Sequence, residues 1–262
     1  MKWLVFSKDR PYQLDAFLKS AQINAKIKQS NISVLYRYSE EFKNDIDILS
    51  SEHPHVFFIA EENFKQDVMN WLYRQEDNII SFATDDAVFT REFDYKELEH
   101  LLTNYEQVTT LSLRLGLHLE HCYPTNSYQK IPDGQIQNGI FFWNTQEAEG
   151  DWGYPLSVDG HAFRRQFVID MLHHIDFNNP NSLESNWQIL KSQVSSLSSC
   201  FPKSSYFNIP INKVQNDYNN RSGNVSHFEL AKKYREDSSF RFNPSKCKFY
   251  FNKSAHEEIE II

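Results

Sequence analysis

Thr84-Asp85-Asp86 closes an apolar run, Ile79-Ile80-Ser81-Phe82-Ala83, and Ala87-Val88-Phe89 continues beyond it. A buried strand that ends in two adjacent acids sets carboxylates at the carboxyl edge of a sheet, where open α/β sheets bind ligands. Like charges crowded there repel unless a cation lies between them, and a hard divalent ion with oxygen ligands is the usual solution. A metal held by one or two carboxylates and by substrate phosphates is the pattern of nucleotide chemistry. An Asp-Asp pair also suits a surface turn, so the elements around it must decide.

Those elements alternate. Residues 3–6 read as a strand, 7–11 as a loop, and 12–26 as a helix with Leu14, Phe17, Leu18 and Ala21 at helical spacing. Pro11 suits the first turn of that helix, where its missing N–H costs nothing. Residues 32–36, 56–59 and 79–83 read as further strands, separated by helices over 42–49 and 64–74. Strand and helix in alternation imply a mostly parallel sheet with right-handed crossovers. Beyond the double Asp the pattern predicts a helix over 95–104 and strands over 108–113, 140–143 and 154–158. Helices are then expected over 162–174, 183–197 and 228–234. After residue 201 the chain is polar, although Asn208-Ile209-Pro210-Ile211-Asn212-Lys213-Val214-Gln215 is too patterned for a random loop.

Composition narrows the classes. The 262 residues include 21 Phe and 13 Tyr but only 7 Gly, enough for a large packed core and no low-complexity segment. A net charge of −8 excludes a broad nucleic-acid footprint, which needs a basic face. Cys122, Cys200 and Cys247 form neither a zinc motif nor a disulfide framework and suit a reducing compartment. No run approaches the roughly 18 apolar residues of a membrane span. The expectation is a cytoplasmic protein.

In order and spacing the chain resembles nucleotide-sugar glycosyltransferases of the GT-A fold, most closely the family 2 enzymes. Phe6-Ser7-Lys8-Asp9-Arg10-Pro11, with Leu14, Leu18 and Ser20, resembles the family's first strand, loop and helix. Thr84-Asp85-Asp86 falls at its acidic metal-binding motif. Ala162-Phe163-Arg164-Arg165, followed by Leu183-Glu184, resembles the acceptor-side segment. The resemblance implies a GT-A-like, Rossmann-type α/β fold. Its central sheet is mixed but mostly parallel and flanked by helices, with an irregular or helical C-terminal extension. It further implies a catalytic domain over 1–200, with a nucleotide-sugar half (1–105) and an acceptor half (106–200), and an extension (201–262) packed on it. The chain departs from the family in two places. Glu184-Ser185 stands where Glu-Asp is usual, and Tyr36-Arg37-Tyr38-Ser39 lacks the Asp that often meets the nucleotide's base.

The resemblance also assigns roles. Asp86 would ligate Mn²⁺ or Mg²⁺ bridging the donor's phosphates, with Asp85 on the ribose or the metal's waters and His227 completing the metal shell. Ser7 and Arg10 would meet the nucleotide, Arg10 at a phosphate beside a helix N-terminus; a solvated arginine fits the same position. Lys65 matches a base-contacting cation, or is a surface lysine. Glu184 and Asp159 are the candidate bases, and either could instead bind acceptor hydroxyls or cap a helix. Trp152 and Tyr154 could stack on a sugar or belong to the core. The expected partners are a nucleoside-diphosphate sugar and a saccharide or lipid-linked saccharide acceptor. A basic, aromatic tail (Lys232, Lys233, Arg235, Arg241, Lys246, Lys248 with Phe240, Phe242, Phe249, Tyr250) could rest peripherally on the inner membrane face. A nucleotidyltransferase and a non-catalytic sugar-nucleotide binding protein are the alternatives. A glycoside hydrolase would leave the double Asp unexplained.

Overall fold

The computed structural model describes residues 1–212, 214 and 221–260; Lys213 and Gln215 of the patterned segment lie outside them. In chain order the elements are β1 (Lys2–Ser7), α1 (Pro11–Ile23), β2 (Ile32–Tyr36), α2 (Lys43–Glu52), β3 (Phe57–Ala60), α3 (Phe64–Arg74), β4 (Ile79–Thr84) and β5 (Ala87–Phe89). There follow α4 (Tyr95–Asn104), β6 (Val108–Ser112), β7 (His121–Cys122), β8 (Ser127–Tyr128), β9 (Gly134–Gln137), β10 (Ile140–Asn144) and β11 (His161–Arg164). The chain continues through α5 (Arg165–Leu172), α6 (Pro180–Ile189), β12 (Leu197–Cys200), β13 (Tyr206–Asn208) and α7 (His227–Glu236).

Nine strands form one sheet in the order β3-β2-β1-β4-β11-β6-β12-β10-β9. The pairings β3–β2, β2–β1, β1–β4 and β6–β12 are parallel, and only β10 and β11 run against the other strands. Successive side chains of a strand point to opposite faces. In β1, Trp3 and Val5 therefore enter one apolar layer with α1, and Leu4 and Phe6 enter the other with Val68 and Leu72 of α3. Burial on both faces explains why β1, β2 and β4 are nearly continuous apolar runs.

Two expectations fail here. Residues 162–164 are strand rather than helix: β11 inserts antiparallel between β4 and β6, and the helix starts only at Arg165. Residues 154–158 form no strand; they follow a 3-10 turn (Gly150–Gly153) and carry the chain along the sheet's edge. The expected helix over 183–197 starts earlier, at Pro180, ends at Ile189 and passes through a 3-10 turn (Leu190–Gln193) to β12 at Leu197. Its start is fixed by a capping box between Asn179 and Ser182 with Pro180 in the first turn.

The C-terminal third is tied to the sheet. β13 pairs antiparallel with β5, and Phe242 N–H donates to Asp15 of α1 at 3.3 Å. Arg235 reaches the Glu41 carbonyl at 2.8 Å and Arg241 the Glu52 carboxylate at 2.7 Å, while Phe240 stacks on Tyr12 and Phe242 is buried. Four of the ten residues of the supposed membrane-facing set thus make internal contacts. No helix among the described residues is long and apolar enough to cross a membrane.

Candidate functional site

Sheet order reverses at β1. The chain moves outward from β1 to β2 and β3, then returns to β4 on the other side, and such a switch point leaves a crevice at the carboxyl ends of the strands. A cleft of about 920 Å³ lies there, reached by Ser7, Arg10, Thr84, Asp86, Asp159 and Glu184.

The loop after β1 is shaped to present Arg10. Asp9 takes a left-handed backbone (φ 52°), and its carboxylate accepts Ser39 N–H at 2.7 Å, a contact that helps hold this strained conformation. Arg10 then precedes α1 and forms ion pairs with both Asp85 and Asp86, the latter at 3.1 Å. The cation expected between the paired acids is therefore, in the first place, a guanidinium. Asp85 is fully buried behind it, accepting Ser7 Oγ at 2.8 Å and Lys8 N–H at 3.2 Å. Burial pushes the Asp85 carboxyl up to about 6 against the pull of Arg10. Asp86 is also desolvated, but Arg10 and the hydrogen bonds from Thr84 and Asn208 hold it below its ordinary value. Asp86 thus stays an anion facing the cleft.

The opposite wall is built on a glycine turn. Gly160 (φ 64°) donates to the Phe82 carbonyl at 3.0 Å and accepts from Leu113 N–H at 2.9 Å, bridging β4 and β6. A Cβ at Gly160 would come within 2.7 Å of the Tyr206 ring, so close approach and backbone sign both require glycine. The turn aims Asp159 at Thr84 Oγ1, 2.6 Å away, with Arg114 at 3.6 Å. His161, one residue beyond Gly160, meets the Asp159 carbonyl at 3.0 Å through Nδ1, and burial drives its imidazole down to about 3, so it is neutral. Glu184 projects from the first turns of α6, whose Leu183 and Trp187 anchor the helix in the core. Its Oε1 accepts Ser157 Oγ at 2.7 Å and Val158 N–H at 2.9 Å. Burial and the neighbouring Asp159 raise Glu184 to about 7, although Arg114 and these hydrogen bonds oppose the rise.

The late part of the chain closes the site. Asn208 Nδ2 donates to Thr84 Oγ1 at 3.0 Å and to Asp86 Oδ1 at 3.3 Å. Its backbone accepts from Glu257 N–H and donates to the Ala255 carbonyl, forming a parallel bridge that brings His256 into the cleft. His256 Nδ1 is buried with no hydrogen-bond partner, and burial, then Arg114, lower its pKa, so a neutral imidazole offers a lone pair near Asp86.

Of the residues expected at the site, Ser7, Arg10, Asp86, Asp159 and Glu184 line the cleft. Asp85 does not; it is buried behind Arg10. Lys65 is turned away, its ammonium on the Ile175 carbonyl (2.8 Å) and Asp176 (2.7 Å). His227 packs against Phe42 and Phe228 at the start of α7, outside the cleft lining. His256 stands where a late imidazole was expected, and its sequence signal is absent because only the β13 pairing places it. Trp152 is core, packed on Trp143 with ring centroids 5.0 Å apart, whereas Tyr154 lines the cleft. Among the described residues one group of three has metal-ligand spacing, Asp15, Glu52 and His53, and it lies outside the cleft lining. Its members are already engaged with one another, Lys19 and Arg241.

Comparison with known proteins adds the following. No protein-family model matches the chain. The bifunctional glycosyltransferase pgtA of Dictyostelium discoideum is 25% identical over 83% of this chain; the chain spans about a third (32%) of that relative's length. S. aureus TarS (residues 1–349) in complex with UDP-GlcNAc superposes with a TM-score of 0.50 at 13% identity, covering 87% of this chain and 61% of that one. A cytidylyltransferase from Leptospira borgpetersenii gives a TM-score of 0.45 at 12% identity, covering 94% and 91%. The likeness to TarS establishes a shared fold: the expected GT-A-like α/β arrangement is the one observed.

Proposed function

We propose that the protein is a glycosyltransferase that moves a sugar from a nucleoside-diphosphate sugar to a hydroxyl of a saccharide acceptor. The observation that carries this reading is the pairing, across one cleft, of an anionic Asp86 backed by Arg10, Asn208 and His256 with a Glu184 titrating near neutrality. The relationship to pgtA supports the activity class.

Asp86 stays ionised in the cleft, and the buried Nδ1 of His256 beside it has no hydrogen-bond partner, a donor pair that fits a divalent cation. Asp86 and the unpartnered His256 Nδ1 are the fitting ligands, with diphosphate oxygens supplying the rest. A divalent ion held there would neutralise charge on the departing diphosphate. The protein's own residues do the remaining work. Arg10, with guanidinium protons beyond those given to Asp85 and Asp86, is placed to donate to a phosphate oxygen. Glu184 takes the proton of the acceptor hydroxyl as its oxygen bonds the anomeric carbon and the bond to the diphosphate breaks, a single displacement with inversion. Asp159, held by Thr84 and Arg114, is placed to bind sugar hydroxyls. Assembly of a surface polysaccharide or glycoconjugate is the setting we infer.

The test is calorimetric binding of nucleoside diphosphates with and without Mn²⁺, to wild type and Asp86→Ala. We expect metal-dependent binding of at least one diphosphate, weakened about 100-fold in the variant, in keeping with loss of several kcal/mol at one ligand. Absence of binding across the panel refutes the donor site.

A further inference from the structure

The far end of the sheet carries a second depression. α4 packs chiefly against β6 and β11, and on the same face an open groove of about 390 Å³ runs over β12, β10 and β9. Strand register decides what shows there. Ile140 stands opposite Gln137 and Phe142 opposite Gln135, and directly opposed residues share a face. The groove therefore has an apolar floor from β10 and a carboxamide edge from β9. The hairpin that holds this edge is closed by Asn138 (φ 50°) and Gly139 (φ 78°), a two-residue turn whose twist matches that of its strands. Tyr105, just past α4 and 41% exposed, also lines the groove. Gln137 Nε2 meets Gln135 Oε1 at 3.5 Å, the limit of a hydrogen bond, so both carboxamides can take new partners at small cost.

We propose that this groove binds a neutral saccharide, with a sugar ring on Ile140 and Phe142 and its hydroxyls toward Gln135, Gln137 and Tyr105. Charge sets the ligand class. Among the described residues the lining includes no lysine, arginine or histidine, whereas Arg10, Arg114 and His256 line the cleft. Its charged side chains are Glu97 and Asp133, the latter met at 3.3 Å by Lys130 from outside the lining. A phosphate or carboxylate ligand would thus face like charge with no cation to receive it. A carboxamide both donates and accepts, as a sugar hydroxyl does. A pyranose ring pairs an apolar C–H face with a border of such hydroxyls, and an apolar floor with a few placed polar groups is the usual form of a small-ligand site. Three strands, β11, β6 and β12, separate β10 from β4, which sets β10 about 19 Å from β4 at the usual strand spacing. The groove is therefore a second site, and its occupancy does not depend on the donor-site reading.

The experiment is calorimetric titration of neutral tetrasaccharides of glucose, galactose, mannose and N-acetylglucosamine, with tetragalacturonate as the anionic counterpart. The proteins are wild type, Tyr105→Ala, Gln137→Ala and Asp86→Ala. At least one neutral tetrasaccharide is expected to bind wild type, and at least about tenfold more weakly to Tyr105→Ala and Gln137→Ala. Its affinity should be unchanged in Asp86→Ala, and tetragalacturonate should bind at least about tenfold more weakly than it does. Tyr105 and Gln137 are exposed, so both groove variants are expected to keep the wild-type melting temperature, and a circular-dichroism melt checks it. Absence of binding across the neutral panel overturns the inference, as does binding that survives both groove substitutions or equal affinity for tetragalacturonate. Loss of binding in Asp86→Ala would place the saccharide in the cleft and overturn it too. Sedimentation of the wild type covers the remaining occupant: a dimer that Tyr105→Ala dissociates would give the groove to a second copy of this chain instead.

Discussion

Glu184→Gln separates chemistry from architecture. Glutamine keeps an Oε1 that can accept Ser157 Oγ and Val158 N–H, the two contacts that seat the wild-type side chain. It cannot take a proton. Loss of a positioned general base lowers turnover by about 10²- to 10⁴-fold, so kcat should fall by that range while KM for the donor holds. In the wild type the active form of Glu184 is the anion. With a pKa of about 7 it is ionised in about one molecule in ten at pH 6 and about nine in ten at pH 8, so kcat/KM should rise roughly tenfold over that interval. Stability moves the other way. The folded value lies above glutamate's ordinary 4.5, so this contribution is fully present below about pH 4.5 and is lost as pH rises through about 7. The variant lacks that titration, and at pH 8 should be the more stable by on the order of 2 kcal/mol, after discounting for solvent at this partly exposed residue. The assays are donor-dependent product formation from pH 6 to 8 and urea unfolding at pH 5 and 8. A variant within threefold of wild-type kcat, or a flat wild-type profile, would refute the assignment.

Three further outcomes follow from particular contacts. His256→Ala should weaken Mn²⁺-dependent diphosphate binding about 10- to 100-fold while leaving the melting temperature near wild type; equal affinities in wild type and variant would remove His256 from the metal site. Gly160→Ala should destabilise the fold by roughly 1–3 kcal/mol in denaturant unfolding, because the left-handed backbone and the Tyr206 ring both oppose a Cβ. Lys65→Ala should leave diphosphate affinity unchanged in the same calorimetric assay, since its ammonium is held by Ile175 and Asp176; a marked loss would return it to the donor site.

The first half of the fold is legible in the sequence because its cues are local. The apolar runs of β1, β2 and β4 are buried on both faces, and the helix over residues 64–74 carries its own Asn63 cap. The second half is harder. Ala162-Phe163 has the composition of a helix start, yet antiparallel pairing with β4 and β6 makes it a strand, a tertiary override of local preference. The same division holds at the site. Asp86, Arg10 and Glu184 are readable from strand ends and helix starts. Asn208 and His256 are not, because they join through a backbone bridge that no spacing encodes. The different surroundings of Asp85 and Asp86 are not legible either, because consecutive residues point in different directions, one inward to Ser7 and one to the cleft.

The bridge between Asn208 and His256 gives this site an order of assembly. Synthesis runs from the amino terminus, so Ser7, Arg10 and the strand-end acids leave the ribosome long before His256 does. A nascent chain can build the parallel core of β1 to β4 early, but it lacks the rung that carries the imidazole to Asp86. The cleft described above is therefore complete only once the chain has passed residue 256. Tyr206, Phe207, Leu230, Tyr234 and Phe242 belong to the same core layer as β1 and α1, so the last part of the chain completes the packing and the cleft together.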